Sequence, residues 1–225
     1  MADGGSWSTS IFLFNPRAYA ASANVSFRDD NGLPLQIPFA KDGVPIFSAT
    51  IDIALPPFGS AEIVTSGLSP TVTQGYAVVL RKIGSMLALA SFRQRIPGRP
   101  DFEATLPAEL PTAAINACPF DNTNGFSTGI ALLNPDSIPA QYVLSFYDSN
   151  GISVTEQLIT LRSLQKSAFD SASQYRDTAG KRGVLRIRRI TSATGPSINY
   201  PNMGLTVLRF NPTGAFTRAT CLPEY

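Results

Sequence analysis

The chain has 225 residues, of which 44% are hydrophobic, and it carries a formal net charge of +2 with no histidine. This length supports one large or two small domains that each bury a core, and the composition is typical of an ordered globular protein. The lack of histidine excludes Ser-His-Asp, Cys-His and His-zinc sites, and the small net charge argues against binding to nucleic acid.

Alternating apolar residues predict β-strands from the start of the chain. The period-two pattern of half-buried strands runs through Ile11 and Leu13 and again through Val25 and Phe27. Residues 38–48 have no counterpart later in the chain and are predicted to be a loop insertion. Further strands are predicted at residues 50–55, 60–65, 75–80, 86–92 and 102–106.

Residues 7–32 recur as residues 126–151. The offset is 119 residues throughout, and 12 of the 26 aligned residues are identical. The recurrence predicts two domains, residues 1–109 and 110–225, that arose by internal duplication. About seven short strands per domain, separated by turn signals, predict tandem immunoglobulin-like antiparallel β-sandwiches. A mixed barrel is the all-β alternative.

The second domain repeats the strand pattern and adds a helical segment. Residues 169–176 predict a short surface helix with Asp170 or Ser171 as its N-cap. The basic run 181–189 alternates with apolar residues, which favours an amphipathic strand with a solvated face over a polyanion-binding patch. Strands are predicted at residues 130–133, 142–147, 152–161, 183–190, 204–210 and 216–221, with a further short strand at 113–117 in the linker.

The two cysteines favour a disulfide. Cys118 lies just before the second repeat, and Cys221 lies in its predicted last strand. The first and last strands of a sandwich are often neighbours, so a bond is geometrically reasonable, with two separate buried thiols as the alternative. Two cysteines are too few ligands for a metal site. No catalytic residue, no cofactor-binding residue and no metal ligand is predicted.

Two polar motifs occur in both repeats and are interpreted as turns. The Asp-x-Asn-Gly segments at 29–32 and 148–151 resemble the start of a calcium loop, but Ala40 and Ile159 stand where an EF-hand needs glutamate. We therefore interpret them as hairpin turns, with a weak calcium site as the alternative. Catalysis would not need both copies of a motif, so repetition argues against an active site there.

An arginine-rich segment is the first candidate contact with a ligand or partner. Arg93, Arg95 and Arg99 fall within residues 93–103, whereas the counterpart from residue 209 lacks this density of charge. Such a loop suits an anionic glycan or a partner carboxylate. The favoured alternative is an ion-paired hairpin end in which Arg93 or Arg95 meets Asp101 or Glu103.

Trp7 is the second candidate contact. It is the only tryptophan, and a solvent-facing indole stacks well on a sugar ring. Its repeat partner is Phe126, and two aromatic residues at equivalent positions favour shared core packing. Tyr19 and Tyr76 are further aromatic candidates for contact with a glycan.

Three phrases of the first repeat carry a family resemblance. They are DGGSWSTS (3–10) leading into LFNP (13–16), FRDDNGLPL (27–35) and FRQRIPGRPDFEA (92–104). Together they resemble a β-sandwich repeat module of secreted and cell-surface proteins of acidobacteria-like bacteria. The resemblance covers the first repeat fully and the second more loosely, since the second lacks the arginine-rich segment. It implies a fold and an extracellular location, with an exported mature chain to which Met1 was added, and no activity.

These observations together predict a non-enzymatic extracellular or cell-surface module with a structural or adhesive role. Its expected partners are other protein chains or further copies of itself, joined through edge strands. No apolar run of 18 residues exists, so membrane insertion is not expected. A carbohydrate-binding module is the alternative, and a carboxylate-dependent hydrolase is disfavoured because acidic residues are sparse.

Overall fold

The chain folds into two compact, all-β units. A computed structural model describes residues 1–108, 114–190 and 203–224. The units are Met1–Ala108 and Glu109–Tyr225. The division falls within one residue of the boundary predicted from the repeat, although residues 109 and 110 themselves lie outside the described residues. Within the described ranges, no helix has the length and apolar character needed to cross a bilayer.

The first unit is a two-sheet, sandwich-like structure. One sheet has the strand order β11-β10-β2-β7-β4-β5, the other has the order β6-β3-β9, and β1 and β8 form a small pair. Ile11 and Ile63 of the first sheet share one buried cluster with Phe27 and Ile53 of the second. The strands are β1 Ala2–Asp3, β2 Trp7–Phe14, β3 Ala21–Arg28, β4 Ile37–Lys41, β5 Val44–Ser48, β6 Thr50–Leu55, β7 Ser60–Thr65, β8 Thr73–Gln74, β9 Tyr76–Ile83, β10 Leu87–Gln94 and β11 Phe102–Pro107.

The insertion at 38–48 is a β-hairpin, and its prediction as a loop is wrong. β4 pairs with β5 from Ile37 opposite Ser48 to the tight turn at Asp42-Gly43, and β4 also extends the sheet beside β7. Ile37 and Phe39 are buried, with the Phe39 ring 5.2 Å from that of Phe27. An Asp-Gly pair between alternating apolar residues is the sequence signal of such a hairpin.

The second unit has the same two-sheet plan. Its sheets have the orders β15-β14-β17-β12-β20 and β16-β13-β18-β19, and Leu132 and Val207 of one sheet meet Phe146 and Leu185 of the other in one buried cluster. The elements are β12 Ile115–Asp121, β13 Ser127–Leu133, β14 Ala140–Asp148, β15 Ser153–Leu161, β16 Lys166–Asp170, α1 Ser171–Gln174, a 3-10 turn Arg176–Thr178, β17 Arg182–Ile190, β18 Gly204–Phe210, β19 Phe216–Ala219 and β20 Leu222–Pro223. The linker strand predicted at 113–117 corresponds to β12, and residue 113 lies outside the described residues.

The helical segment is shorter than predicted. Of the two predicted N-caps, Asp170 is the one that caps α1. Its carboxylate accepts a hydrogen bond from the Ser173 N–H at 2.9 Å. Phe169 belongs to β16 instead, because it pairs with Ile130 of β13. β16 takes the place that β7 has in the first unit. Alignment at the offset of 119 residues does not match β16 with β7, because the β4–β5 hairpin is present only in the first unit and shortens the separation of all later equivalent residues.

Corresponding strands occupy corresponding places in the two units. The order β11-β10-β2-β7 matches β19-β18-β13-β16, and β6-β3-β9 matches β15-β14-β17. Gly75, just ahead of β9, and Gly183, the second residue of β17, hold equivalent positions. The residue after each glycine pairs with Arg28 in the first unit and with Tyr147, one repeat offset later, in the second. A Cβ on Gly75 would lie 2.2 Å from Arg28 O, and one on Gly183 would lie 2.1 Å from the oxygen of Tyr147. Both sites therefore require glycine for close backbone approach.

The predicted disulfide between Cys118 and Cys221 is confirmed. Cys118 is a buried residue of β12, with its Cα 4.2 Å from that of Cys221. Cys221 lies beyond the end of β19 at Ala219, where the chain crosses to the other sheet and β20 pairs with β12. The bond thus fastens the chain end of the second unit to the strand that opens it.

Candidate functional site

The four residues predicted as ligand contacts lie at one end of the larger sheet of the first unit. Trp7 begins β2 and stands opposite Gln94, the last residue of β10. Arg93 precedes Gln94, and Arg95 and Arg99 lie in the loop from β10 to β11. The antiparallel pairing of β2 with β10 thus brings the tryptophan beside the arginine-rich segment. We call Trp7, Arg93, Arg95 and Arg99 the arginine–tryptophan surface.

Asp101 is paired with two arginines of this surface. Its Oδ2 lies 2.6 Å from an Arg93 guanidinium nitrogen and 3.5 Å from Arg95 Nε. The structure therefore forms the ion-paired hairpin end that the sequence favoured. The Arg95 side chain nevertheless remains 66% exposed. Exposed pairs of this kind contribute about 0–1 kcal/mol, so they orient the loop more than they stabilise it.

Arg99 and Trp7 belong to the core-facing side of the sheet end. The Arg99 guanidinium donates to Gln94 Oε1 at 2.8 Å and stacks 3.7 Å from the centre of the Phe102 ring. Trp7, Gln94 and Phe102 lie opposite one another on adjacent strands. Trp7 shares its side of β2 with the buried Thr9 and is itself half-buried. Its indole therefore belongs to the rim of the sandwich and not to a fully exposed stacking platform.

The equivalent end of the second unit carries a different arginine. Arg209 of β18 makes two hydrogen bonds to Asp121 Oδ2, at 2.6 and 3.1 Å, and stacks 3.7 Å from the centre of the Phe126 ring. Arg209 stands opposite Thr128, whereas in the first unit Phe92 stands opposite Thr9. The sequence alignment of Arg209 with Arg93 is thus one residue out of register.

A shallow depression of about 340 Å³ opens beside this ion pair. Arg182 and Arg209 line it together with Asp121 and the apolar Pro119 and Ala219. Its size is at the low end of ligand pockets. Asp121 already compensates the charge of Arg209, whereas Arg182 forms no ion pair with a described residue.

The Arg209–Asp121 pair makes the stability of the second unit depend on pH. Burial acts to raise the pKa of Asp121, but hydrogen bonds from Thr123 and Arg209 outweigh it and hold the pKa below its ordinary value. A lowered pKa stabilises the fold above the unfolded value of about 3.9, and this contribution is lost as the pH falls through the folded pKa.

Replacing Arg209 by methionine is expected to lower the free energy of unfolding of the second unit by about 0.5–1.5 kcal/mol at pH 7. The difference should shrink as the pH falls below about 3.9, because Asp121 then binds a proton in the unfolded chain before it does so in the folded protein. Urea denaturation at pH 7 and pH 3 measures it. Arg182→Met is the matched control, since Arg182 lines the same depression without an ion pair to any described residue. A loss of equal size at both pH values would contradict the electrostatic origin.

Asn122 organises the polar interior of the second unit and was not foreseen from the sequence. Its side chain accepts from the Thr128 N–H at 3.0 Å and donates to Ser171 Oγ at 2.9 Å and Thr178 Oγ1 at 3.0 Å. It thus ties β12 and β13 to α1 and the 3-10 turn. Asp3 stands one repeat offset earlier and is also buried. A short polar residue at this position ahead of both repeats is the sequence signal that could have revealed the site.

The repeated aspartates are turn residues. Asp29 Oδ1 accepts from the amides two and four residues further on, at 2.9 and 2.8 Å, and Asp148 does the same at 2.8 and 2.9 Å. The interpretation as turns is therefore confirmed. In the part of the chain that the structure describes, no group of three or more acidic, histidine or cysteine side chains is placed to hold a metal ion.

Comparison of the chain with protein-family models, with curated proteins and with solved structures yields no match. The resemblance to modules of acidobacteria-like bacteria therefore stays a prediction. The function has to be argued from the geometry of the two units.

Proposed function

We propose that this protein is a non-enzymatic extracellular or cell-surface module with a structural or adhesive role, and that it acts by joining other protein chains or further copies of itself. The observation that carries the proposal is that strands at the edges of its sheets expose apolar side chains. The terminal strands β9 and β5 of the first unit expose large apolar side chains, including Leu80, Ile83 and Phe47. Exposed edges of this kind are templates for strand pairing between chains.

The disulfide supports the proposed location. It closes a sequence separation of 103 residues in a chain that has no other cysteine. Such bonds persist in oxidising environments and are rare in the cytosol. We therefore propose an extracellular or cell-surface setting, in keeping with the exported mature chain that the family resemblance implies.

We further infer that the two units arose by internal duplication. Support comes from hydrogen bonds that recur at the repeat offset, such as those that the Asn15 and Asn134 side chains donate to the carbonyls of Tyr19 and Ile138. The two units share with immunoglobulin-like domains the arrangement of strands in two sheets, but the strands are grouped differently. A constant-type immunoglobulin domain groups strands A, B, E and D against C, F and G, whereas these units group the first, fourth, sixth and seventh shared strands against the second, third and fifth.

Sedimentation velocity over a wide range of protein concentration tests the self-assembling form of the proposal. We expect the average mass to rise with concentration and Phe47→Lys, on the outer edge of β5, to suppress the rise. Leu68→Lys is the control, because Leu68 is equally apolar and more exposed but lies outside the strands. A monomer at every concentration would contradict self-assembly, and a hydrolytic or transferase activity abolished by one substitution would contradict the non-enzymatic role.

A carbohydrate-binding module is the second candidate function. The observation that favours it is the arginine–tryptophan surface, since an aromatic ring beside guanidinium groups suits an acidic sugar. A glycan array should then show binding that Trp7→Ala and Arg95→Ala both weaken. Arg81→Ala, an exposed arginine on β9, should leave it unchanged. Absence of binding to every glycan removes this candidate.

A further inference from the structure

The chain contains three Asn-Gly pairs, and all three lie in turns. They are Asn31-Gly32, Asn124-Gly125 and Asn150-Gly151. In such a pair the side-chain amide of asparagine precedes a backbone nitrogen that no neighbouring side chain shields, because glycine has no Cβ. The pairs are chemically alike, so a difference in their reactivity within the folded protein comes from the structure around each of them.

Two of the pairs are held by the repeated aspartate turns. The Gly32 N–H donates to Asp29 O at 3.0 Å, and the Gly151 N–H donates to Asp148 O at 3.0 Å. In both turns the aspartate carboxylate also accepts from the N–H of the asparagine and from the N–H of the residue after the glycine. The nitrogen of each glycine is thus hydrogen-bonded inside a turn that further hydrogen bonds fix.

Asn124-Gly125 forms a different turn, between β12 and β13. Asn124 has a φ of 52° and Gly125 a φ of 80°, and the Phe126 N–H donates to Thr123 O at 2.8 Å. These are the features of a type I′ turn. Both central residues are exposed. Among the described residues, neither the Asn124 side chain nor the Gly125 N–H has a hydrogen-bond partner.

The first unit has the same kind of turn without the Asn-Gly pair. Gly5 and Ser6 stand one repeat offset earlier, with φ values of 56° and 76°. Gly4 and Trp7 exchange backbone hydrogen bonds across them at 2.9 Å. The geometry of the turn therefore does not require asparagine, and the exposed side-chain amide is a feature of the second unit alone.

We propose that Asn124 is a self-modification site, where asparagine converts through a succinimide to isoaspartate and aspartate. The Gly125 nitrogen attacks Asn124 Cγ and loses its proton, the new N–Cγ bond closes the succinimide ring, and the Cγ–Nδ2 bond breaks with release of ammonia. Water then opens the ring. Attack of water at the backbone carbonyl carbon gives isoaspartate, in which the chain runs through the side chain, and attack at Cγ gives aspartate.

The hydrogen bonds of the three turns decide which asparagine reacts. The reaction needs a glycine nitrogen that is free to lose its proton and to approach the amide carbon. At Asn31 and Asn150 the hydrogen bonds of the aspartate turn have to open first, which lowers the population of the reactive conformation. At Asn124 the Gly125 N–H has no such bond to break. Asn124 should therefore react fastest in the folded protein but not in the unfolded chain.

The products alter the end of the second unit that carries the Arg209–Asp121 pair. Phe126, two residues after Asn124, stacks its ring 3.7 Å from the Arg209 guanidinium. On the other side of the turn, Thr123 donates to Asp121 Oδ1 at 3.1 and 2.6 Å. Isoaspartate lengthens the backbone between these two contacts, and either product adds a negative charge. This reactivity does not depend on the proposed structural or adhesive role.

Incubation of the wild-type protein at neutral pH and physiological temperature, followed by peptide mass spectrometry, tests the site. We expect deamidation at Asn124 to be faster than at Asn31 and Asn150 by about tenfold or more, with isoaspartate identified by electron-transfer fragmentation. The protein incubated in urea is the control, since the three pairs should react at similar rates once the turns are lost. Equal rates in the folded protein, or an intact Asn124 while the urea sample reacts, overturn the inference.

Two variants test the structural cause. Asn124→Gly places the residue of the first unit's turn at this position, and it should abolish the modification there and leave the other two pairs unchanged. Asp148→Ala removes the side-chain hydrogen bonds of the second aspartate turn. It should raise the rate at Asn150 several-fold towards that at Asn124, with Asn31 as the unchanged control. A rate at Asn150 that does not respond overturns the protection by hydrogen bonds on which the choice of Asn124 rests.

Discussion

Removal of the Cys118–Cys221 disulfide is expected to destabilise the second unit and to leave the stability of the first unit unchanged. In the chain-entropy model, the bond across 103 residues restricts the unfolded chain by about 4–5 kcal/mol. Strain and residual structure reduce such values, so we expect a loss of about 2–5 kcal/mol in the variant Cys118→Ala/Cys221→Ala. The melting transition of the second unit should fall by at least about 8 °C.

The first unit is the built-in control for this experiment, because Met1–Ala108 contains no cysteine. Hydrogen exchange resolved by peptide should show faster opening in β12, β17 and β20 and unchanged exchange in β2 and β3. Wild-type protein treated with reductant should reproduce the double variant. An equal loss in both units, or no loss in either, would contradict a role confined to the second unit.

The second large loss of stability is expected on replacement of the buried turn asparagines, Asn15 and Asn134. Asn134 is fully buried, and its amide donates to Ile138 O at 2.8 Å and Arg162 O at 2.9 Å. Tyr142, whose pKa burial raises to about 12, donates its hydroxyl to Asn134 Oδ1 at 3.4 Å. Alanine at this position would leave these buried groups without their partner, which costs about 2–3 kcal/mol.

The first unit offers a parallel experiment, because Asn15 donates to Tyr19 O at 2.6 Å and Pro56 O at 3.0 Å. Asn15→Ala should destabilise the first unit, and Asn134→Ala the second, each by a similar amount in urea denaturation. Asn150→Ala is the matched control, since Asn150 is an exposed turn residue and its loss should cost less than about 0.5 kcal/mol. The prediction fails if Asn134→Ala is no more harmful than the control.

Strands were predicted well where the pattern is local. The alternation through Ile11 and Leu13 marks β2, and Leu185 and Ile187 are buried in β17 as the amphipathic pattern indicates. The β4–β5 hairpin and β16 were missed for different reasons. The hairpin had no repeat partner to compare with. β16 was missed because the repeat offset changes beyond that hairpin and because a helical signal begins beside the strand at Asp170.

The ion pairs of the candidate surfaces were likewise predictable only where the two residues are close in the sequence. Arg93 and Asp101 are eight residues apart across one hairpin, so their pairing was foreseeable from the segment itself. The Arg209–Asp121 pair and the Arg189–Asp136 pair join residues that are far apart in the sequence. No local pattern encodes such pairs, because they depend on which strands become neighbours and in which register.

By itself, the amino-acid sequence determined that this protein is all-β, that it is built as two units, that its repeated aspartates form turns and that its cysteines pair. These properties follow from side-chain alternation, turn chemistry and the repeat, which act over a few residues or by comparison of the two copies. The tertiary structure alone decided the strand order, the meeting of Trp7 with the arginines and the open edge at β9. Backbone hydrogen bonding is the same for every strand, so a strand's neighbours are chosen only when the whole core closes.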